Sequence, residues 1–281
     1  MEFQAEILRF LQAAASPVLD ILAVGVTFFG ELSFVVPVVA FFYWCVDKEQ
    51  GLWLCWCAGF TNLFSHAIKG FLKIERPIGK PGIRSIFTES ATGYSFPSGH
   101  ATNSAALLSG FARSKGGKRL WAAAIILPLL VSLSRLYLGC HWPMDVLGGY
   151  LIGLLMPLLL YPLFCRYKDR AYLLFFFGTV LFLPLFGLLG EDALDFWKLL
   201  GFNFGCVFGS FLEEKFVRFS VEGTKKQKVL RFFLGFLFLG AFYLLMKLFF
   251  PSTIPFTFLR YFAVSVCALA VWPWLFQKIG L

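Results

Sequence analysis

The sequence predicts an all-α fold, a polytopic transmembrane helical bundle of about nine spans. Three observations carry this expectation. Hydrophobic residues fill 59% of the 281 positions and charged residues 15%, with a mean hydropathy of +0.76; a soluble chain holds about 45–50% and about 25%. Phe alone occurs 37 times against 16 acidic residues, more aromatic surface than a soluble core of this length hides. Apolar stretches of about 20 residues, enough to cross a bilayer, recur between breaks of charge, Pro or Gly. Together these exclude a soluble enzyme, a disordered tail and a nucleic-acid binder.

Residues 1–16 place Phe3, Ile7, Leu8, Phe10 and Leu11 on an otherwise polar stretch. It is too polar to span, so an interfacial amphipathic helix is expected there. Spans follow at about 18–45, 50–73, 98–114, 118–138, 144–165, 171–190, 196–218, 229–250 and 257–277. The domain reading is 1–16, then a core over 17–190, then a C-terminal extension over 191–281. Only 74–97 forms a long non-apolar connection, and long loops on helical scaffolds tend to carry function. The N-terminal stretch has no basic n-region or cleavage site, so no removed signal peptide is expected. Seven cysteines, mostly within apolar runs, read as small hydrophobes rather than a disulfide framework. Cys55 and Cys57 have no accompanying ligand cluster, so no metal is expected there.

Charge sets the orientation. With nine spans, 15 of the 25 Lys and Arg residues fall on the side opposite the 74–97 loop. Of the other ten, six (Lys69, Lys73, Arg76, Lys80, Arg84 and Arg135) belong to the polar clusters described next, leaving Arg9, Lys198, Lys247 and Arg260. The positive-inside rule makes the rich side cytoplasmic and the loop side extracytoplasmic. The acidic patch Glu191, Asp192 and Asp195 lies on the loop side. A multi-pass protein of the plasma membrane is expected, or one with the loop lumenal if the membrane is internal.

Ionisable residues at span ends are functional candidates, because burying them costs several kcal/mol unless they are paired. Three groups gather on the loop side: Lys69 with Arg76-Pro77, then Pro97-Ser98-Gly99-His100, then Ser134-Arg135 through His141 to Asp145. Asn62, His66, Lys69 and Lys73 share one helix face, which makes His66 and Lys73 possible pocket-lining residues. Lys69, Arg76 and Arg135 supply three cations for a tetrahedral oxyanion, with Arg offering bidentate geometry. Ser98 and the Gly99 amide stand at a helix N-terminus, where free N–H groups favour an anion. His141 and Asp145, four apart on one expected helical turn, suit a carboxylate that holds one ring nitrogen and frees the other as nucleophile. His100 is then available to protonate a leaving oxygen. These groups amount to a phosphoryl-transfer site that calls for no metal or cofactor.

The three segments resemble the signature of the type-2 phosphatidic acid phosphatase superfamily: K-x6-R-P, P-S-G-H and S-R-x5-H-x3-D, with every spacing intact over 69–145. The resemblance implies a six-span core, with residues 166–281 beyond it, and a metal-independent phosphatase of lipid phosphates or diphosphates. It implies His141 as a nucleophile that becomes a phosphohistidine, Asp145 as its partner and His100 as the acid. Lys69, Arg76, Ser98, Gly99 and Arg135 would bind phosphate. The partner is then a membrane lipid bearing a terminal phosphate, with no nucleic acid.

Two alternatives share the site: phosphotransfer to a lipid or sugar acceptor, and hydrolysis of a small ester in the manner of glucose-6-phosphatases. A transporter with a vestigial site is a third. Ordinary structural readings stand beside these. His66 suits a hydrogen bond within the bundle, and Lys73, Lys80 and Arg84 suit solvated loop charges. Glu31, mid-span, suits either proton movement or a buried pair. Glu213, Glu214, Lys215 and Arg218 read as solvated pairs, and Gly201, Gly205 and Gly209 as a close helix contact.

Overall fold

The structure, a computed structural model, describes residues 2–184 and 193–281. Its twelve helices among these residues are α1 (Glu2–Gln12), α2 (Pro17–Thr27), α3 (Leu32–Phe41), α4 (Lys48–Leu72), α5 (Gly99–Lys115), α6 (Lys118–Tyr137), α7 (Pro143–Tyr167), α8 (Ala171–Val180), α9 (Ala193–Leu212), α10 (Lys225–Phe249), α11 (Ile254–Val266) and α12 (Trp272–Lys278). No strand interrupts them among the described residues. The all-α expectation holds, and the molecule is a multi-pass membrane protein. Among the described residues, four stretches are long and apolar enough to cross a bilayer: Lys118–Tyr137, Pro143–Arg170, Lys225–Phe249 and Ile254–Lys278. A fifth arises if α1 and the Pro17–Gly30 stretch, bent by 117°, count together. The end of the expected span 171–190, the 190/191 boundary and the acidic residues Glu191 and Asp192 lie outside the described residues.

Residues 2–36 and 64–161 form one compact unit. Its centre is α5, which buries every residue from His100 through Leu107. That helix is rich in Ala, Ser and Thr, so neighbours approach its backbone closely. A Cβ added at Gly149 of α7 would stand 2.4 Å from the Ser98 carbonyl oxygen, and one at Gly153 would stand 2.5 Å from that of Thr102. The buried hydroxyls of Thr102, Ser104 and Ser109 donate to carbonyls one turn back, which satisfies them without solvent. A polar helix is thus kept inside the unit and away from lipid.

The expected single span 18–45 is broken. α2 ends in a 3-10 turn at Phe28–Gly30, Glu31 is extended (φ −74°, ψ 144°), and α3 begins at Leu32. Gly30 permits the break, because a Cβ there would lie 2.6 Å from the His100 carbonyl oxygen.

The other unit comprises residues 37–63, 162–184 and 193–281. Here α9 packs on α11 through the glycine series read in the sequence: added Cβ atoms at Gly201 and Gly205 would stand 2.4 Å from the Phe258 and Phe262 carbonyl oxygens. The π-turn Glu213–Val217 corrects one expectation. It carries Glu213 inward, where the carboxylate accepts from Lys48 at 2.9 Å and from the Phe219 amide at 3.1 Å. At the surface the adjacent Lys215 and Glu214 pair at 2.8 Å in place of an i, i+4 pair, and Arg218 Nε donates to the Glu214 carbonyl oxygen at 3.0 Å.

Candidate active site

The loop between α4 and α5 is held at several points within its unit. The Ser95 amide donates to Ile74 O at 2.7 Å, and the Trp142 indole donates to Glu75 O at 2.8 Å. Gln12 of α1 clasps the Arg84 backbone, accepting from its amide at 3.0 Å and donating to its carbonyl at 2.7 Å. Arg84 is exposed, as a loop charge would be, and also makes a two-pronged pair with Asp20, at 2.8 and 2.7 Å. Lys80 stays at the surface beside Glu75.

This anchoring brings Arg76 onto His141. Its Nη1 donates to His141 Nε2 at 2.9 Å and to Cys140 O at 3.1 Å, while Nε and Nη2 reach Gly93 O and Thr92 O at 2.9 and 2.7 Å. A guanidinium has no acceptor, so Nε2 must accept and the ring proton resides on Nδ1. Nδ1 lies 3.4 Å from Asp145 Oδ2. The carboxylate therefore holds the tautomer that leaves Nε2 unprotonated, with its lone pair turned to Arg76.

His141 precedes α7 instead of sharing a helical turn with Asp145. Asp145 is the third residue of α7, and its carboxylate folds back to accept from the Trp142 amide at 2.7 Å, an N-terminal cap. That cap swings Oδ2 towards the preceding ring. Ser95, unmarked by the sequence reading, adds a hydroxyl that donates to the same Oδ2 and stands 3.4 Å from His141 Nδ1. No sequence signal singles it out, since it is one serine in a polar loop. Burial, followed by the charges of Arg76, Lys69 and Arg135, holds His141 well below the usual histidine value, so the ring is neutral at neutral pH.

Lys69, Ser98, Arg135 and His100 gather around this pair, while Lys73 does not. Lys69, buried near the end of α4, donates to Tyr94 O at 2.8 Å. Ser98 is the N-cap of α5, but its hydroxyl makes no capping bond and has no partner among the described residues. Arg135 is fully buried; Nη1 reaches Thr27 Oγ1 at 3.4 Å, and Nε and Nη2 have no partner among the described residues. Gly99 opens α5, and His100 follows it with Nε2 2.8 Å from Glu31 Oε1. His66 is half-buried one turn before Lys69. Lys73 is exposed just past α4, in a left-handed conformation (φ 49°) outside the cluster.

A buried imidazole with an unprotonated Nε2, a carboxylate behind it, cations around it and a second imidazole nearby can attack phosphorus once an anion draws Arg76 off that nitrogen, and the cations stabilise the charge that develops. With the membrane-spanning helical fold, this makes the protein an integral-membrane phosphate-ester hydrolase by class. Family models agree. Residues 50–169 match the PAP2 superfamily, and residues 197–281 match the transmembrane extension of PAP2 superfamily phosphatases. The chain belongs to the PAP2 superfamily.

Phosphatidylglycerophosphatase B of Bacillus subtilis is 31% identical over 155 residues, covering 50% of this chain and 72% of the relative. An undecaprenyl-diphosphatase of Sulfolobus acidocaldarius is 46% identical over 66 residues, covering 22% of this chain and 30% of the relative. Among solved structures, the first transmembrane PAP2-type phosphatidylglycerolphosphate phosphatase from Bacillus subtilis superposes with a TM-score of 0.51 at 26% identity. That match covers 59% of this chain and 86% of the other.

Proposed function

We propose that this protein is a metal-independent phosphatase of a lipid phosphate or diphosphate, working through a phosphohistidine at the extracytoplasmic face. The observation that carries the reading is the set of buried donors without partners among the described residues: Arg135 Nε and Nη2 and Ser98 Oγ. A buried guanidinium is costly unless an anion meets it, and a phosphate offers the acceptors these groups need. Arg76, already at His141 Nε2, brings one of those oxygens beside the nucleophile. Lys69 and the first amides of α5, at Gly99 and His100, complete the cage.

His141 Nε2 attacks phosphorus as the bond to the leaving oxygen breaks, and His100 gives that oxygen a proton. Water then attacks the phosphohistidine, passing a proton back to His100, and inorganic phosphate departs. The three cations supply the charge stabilisation that a metal supplies elsewhere. A lipid substrate is supported by the bilayer setting and by the names of both relatives, each a phosphatase of a lipid phosphate or diphosphate. The extracytoplasmic face is supported by the distribution of Lys and Arg under the nine-span reading.

Phosphate release from a panel of lipid phosphates in detergent micelles tests this. Activity should survive chelators and be abolished by His141→Ala. An active His141→Ala protein, or turnover lost to a chelator, contradicts the reading.

A further inference from the structure

We propose that Glu31 is the positioning residue for His100, holding the ring and favouring its protonated form; the inference rests on the phosphatase reading above. Glu31 sits in the break between α2 and α3, in the middle of an apolar stretch, where an unpaired carboxylate would be costly. Its Oε1 lies 2.8 Å from His100 Nε2. Two further contacts fix the turn against the start of α5. Gly30 approaches the His100 backbone so closely that no Cβ fits between them, and Asn103 Nδ2 donates to Gly30 O at 3.0 Å. Three residues before Gly30, Thr27 ends the preceding α2 beside Arg135 Nη1. The break therefore links the acid and the phosphate cage through one short segment.

The two histidines are then supported in parallel. Asp145 stands at Nδ1 of His141 and Glu31 at Nε2 of His100. A carboxylate only accepts, so the nitrogen facing it keeps its proton and the other nitrogen does the chemistry. For His141 that nitrogen is Nε2, a lone pair for phosphorus. For His100 it is Nδ1, whose proton passes to the leaving oxygen as the P–O bond breaks and the N–P bond to His141 forms. The same nitrogen then takes a proton from the attacking water. Glu31 keeps its charge throughout, and that charge favours the imidazolium needed in the first half.

Glu31→Gln keeps the shape and an acceptor oxygen but removes the charge. Its effect should depend on the leaving group. The substrates are a long-chain alkyl phosphate and a nitrophenyl phosphate bearing the same chain, compared by kcat/KM. The alkoxide needs the proton, and the nitrophenolate leaves without it. The alkyl ester should lose roughly 10- to 100-fold and the nitrophenyl ester less than about threefold. Glu31→Asp, which keeps the charge, should lose less on the alkyl ester than Glu31→Gln. Equal losses on both esters, no loss on either, or the reverse order of the two variants overturns the proposal. Failure of the phosphatase reading would show in the unmodified chain instead, as no phosphate released from either ester or as release indifferent to His141→Ala.

Discussion

Replacing Arg135 by Met should make the protein more stable and nearly inactive. The guanidinium is fully buried, with one long contact at 3.4 Å and two nitrogens that have no partner among the described residues. Each unsatisfied buried donor costs about 1–3 kcal/mol, so two cost about 2–6 kcal/mol. Met has a similar reach and no polar atom, and replacing buried charges by well-packed apolar groups is often stabilising by about 1–4 kcal/mol. Function should move the other way. Two charge-assisted hydrogen bonds to phosphate contribute about 1.5–3 kcal/mol each. Their loss should reduce kcat/KM by roughly 10²- to 10⁴-fold. Thermal unfolding in detergent and phosphate release on one preparation measure both. Added inorganic phosphate should raise the unfolding temperature of the unmodified chain and leave that of Arg135→Met unmoved. A variant that is less stable and retains activity within about tenfold would refute the argument that this charge awaits an anion.

Acid should destabilise the protein partly through His141. Its folded-state value lies well below 6.5 because of burial and the nearby cations, so between the two values the unfolded chain holds a proton that the native ring does not. Stability from this group falls as pH drops through 6.5 and levels off only below the folded value. His141→Ala should therefore flatten the fall in unfolding temperature from neutral to mildly acid pH; an unchanged slope counts against it. For orientation, Cys165, the exposed native cysteine, is first replaced by Ser and a single cysteine placed at exposed Glu89 or exposed Lys226. A membrane-impermeant maleimide on intact cells should label Glu89→Cys and not Lys226→Cys, and the opposite pattern would reverse the assigned face.

The helical class and the polar cluster were legible because both depend on local signals. Apolar runs mark helices, and the three segments around Lys69, Ser98 and Arg135 have fixed spacings that the fold closes into one cluster. What stayed hidden depends on long-range approach. The break at Phe28–Glu31 is invisible to periodicity, since the residues flanking it are apolar on every face; the one hint is a Gly-Glu pair inside the run. Glu31 gains its meaning only when Gly30 lets that turn meet α5, 69 positions along the chain from Glu31 to His100. Ser95 reaches Asp145 across 50 positions, and Glu213 turns inward only because a π-turn rotates it. The spacing from His141 to Asp145 brought the two together for a reason other than the one expected, a folded-back cap in place of a shared helical turn.

The phosphohistidine itself is the most direct test. His100→Ala should still be phosphorylated by a nitrophenyl phosphate bearing a lipid chain, because the nitrophenolate needs no proton, yet it should release phosphate slowly for want of a base. Quenching that reaction and locating the modification by mass spectrometry should find phosphate on His141. Phosphate on another residue, or none on the chain while nitrophenolate is still released, would contradict the account.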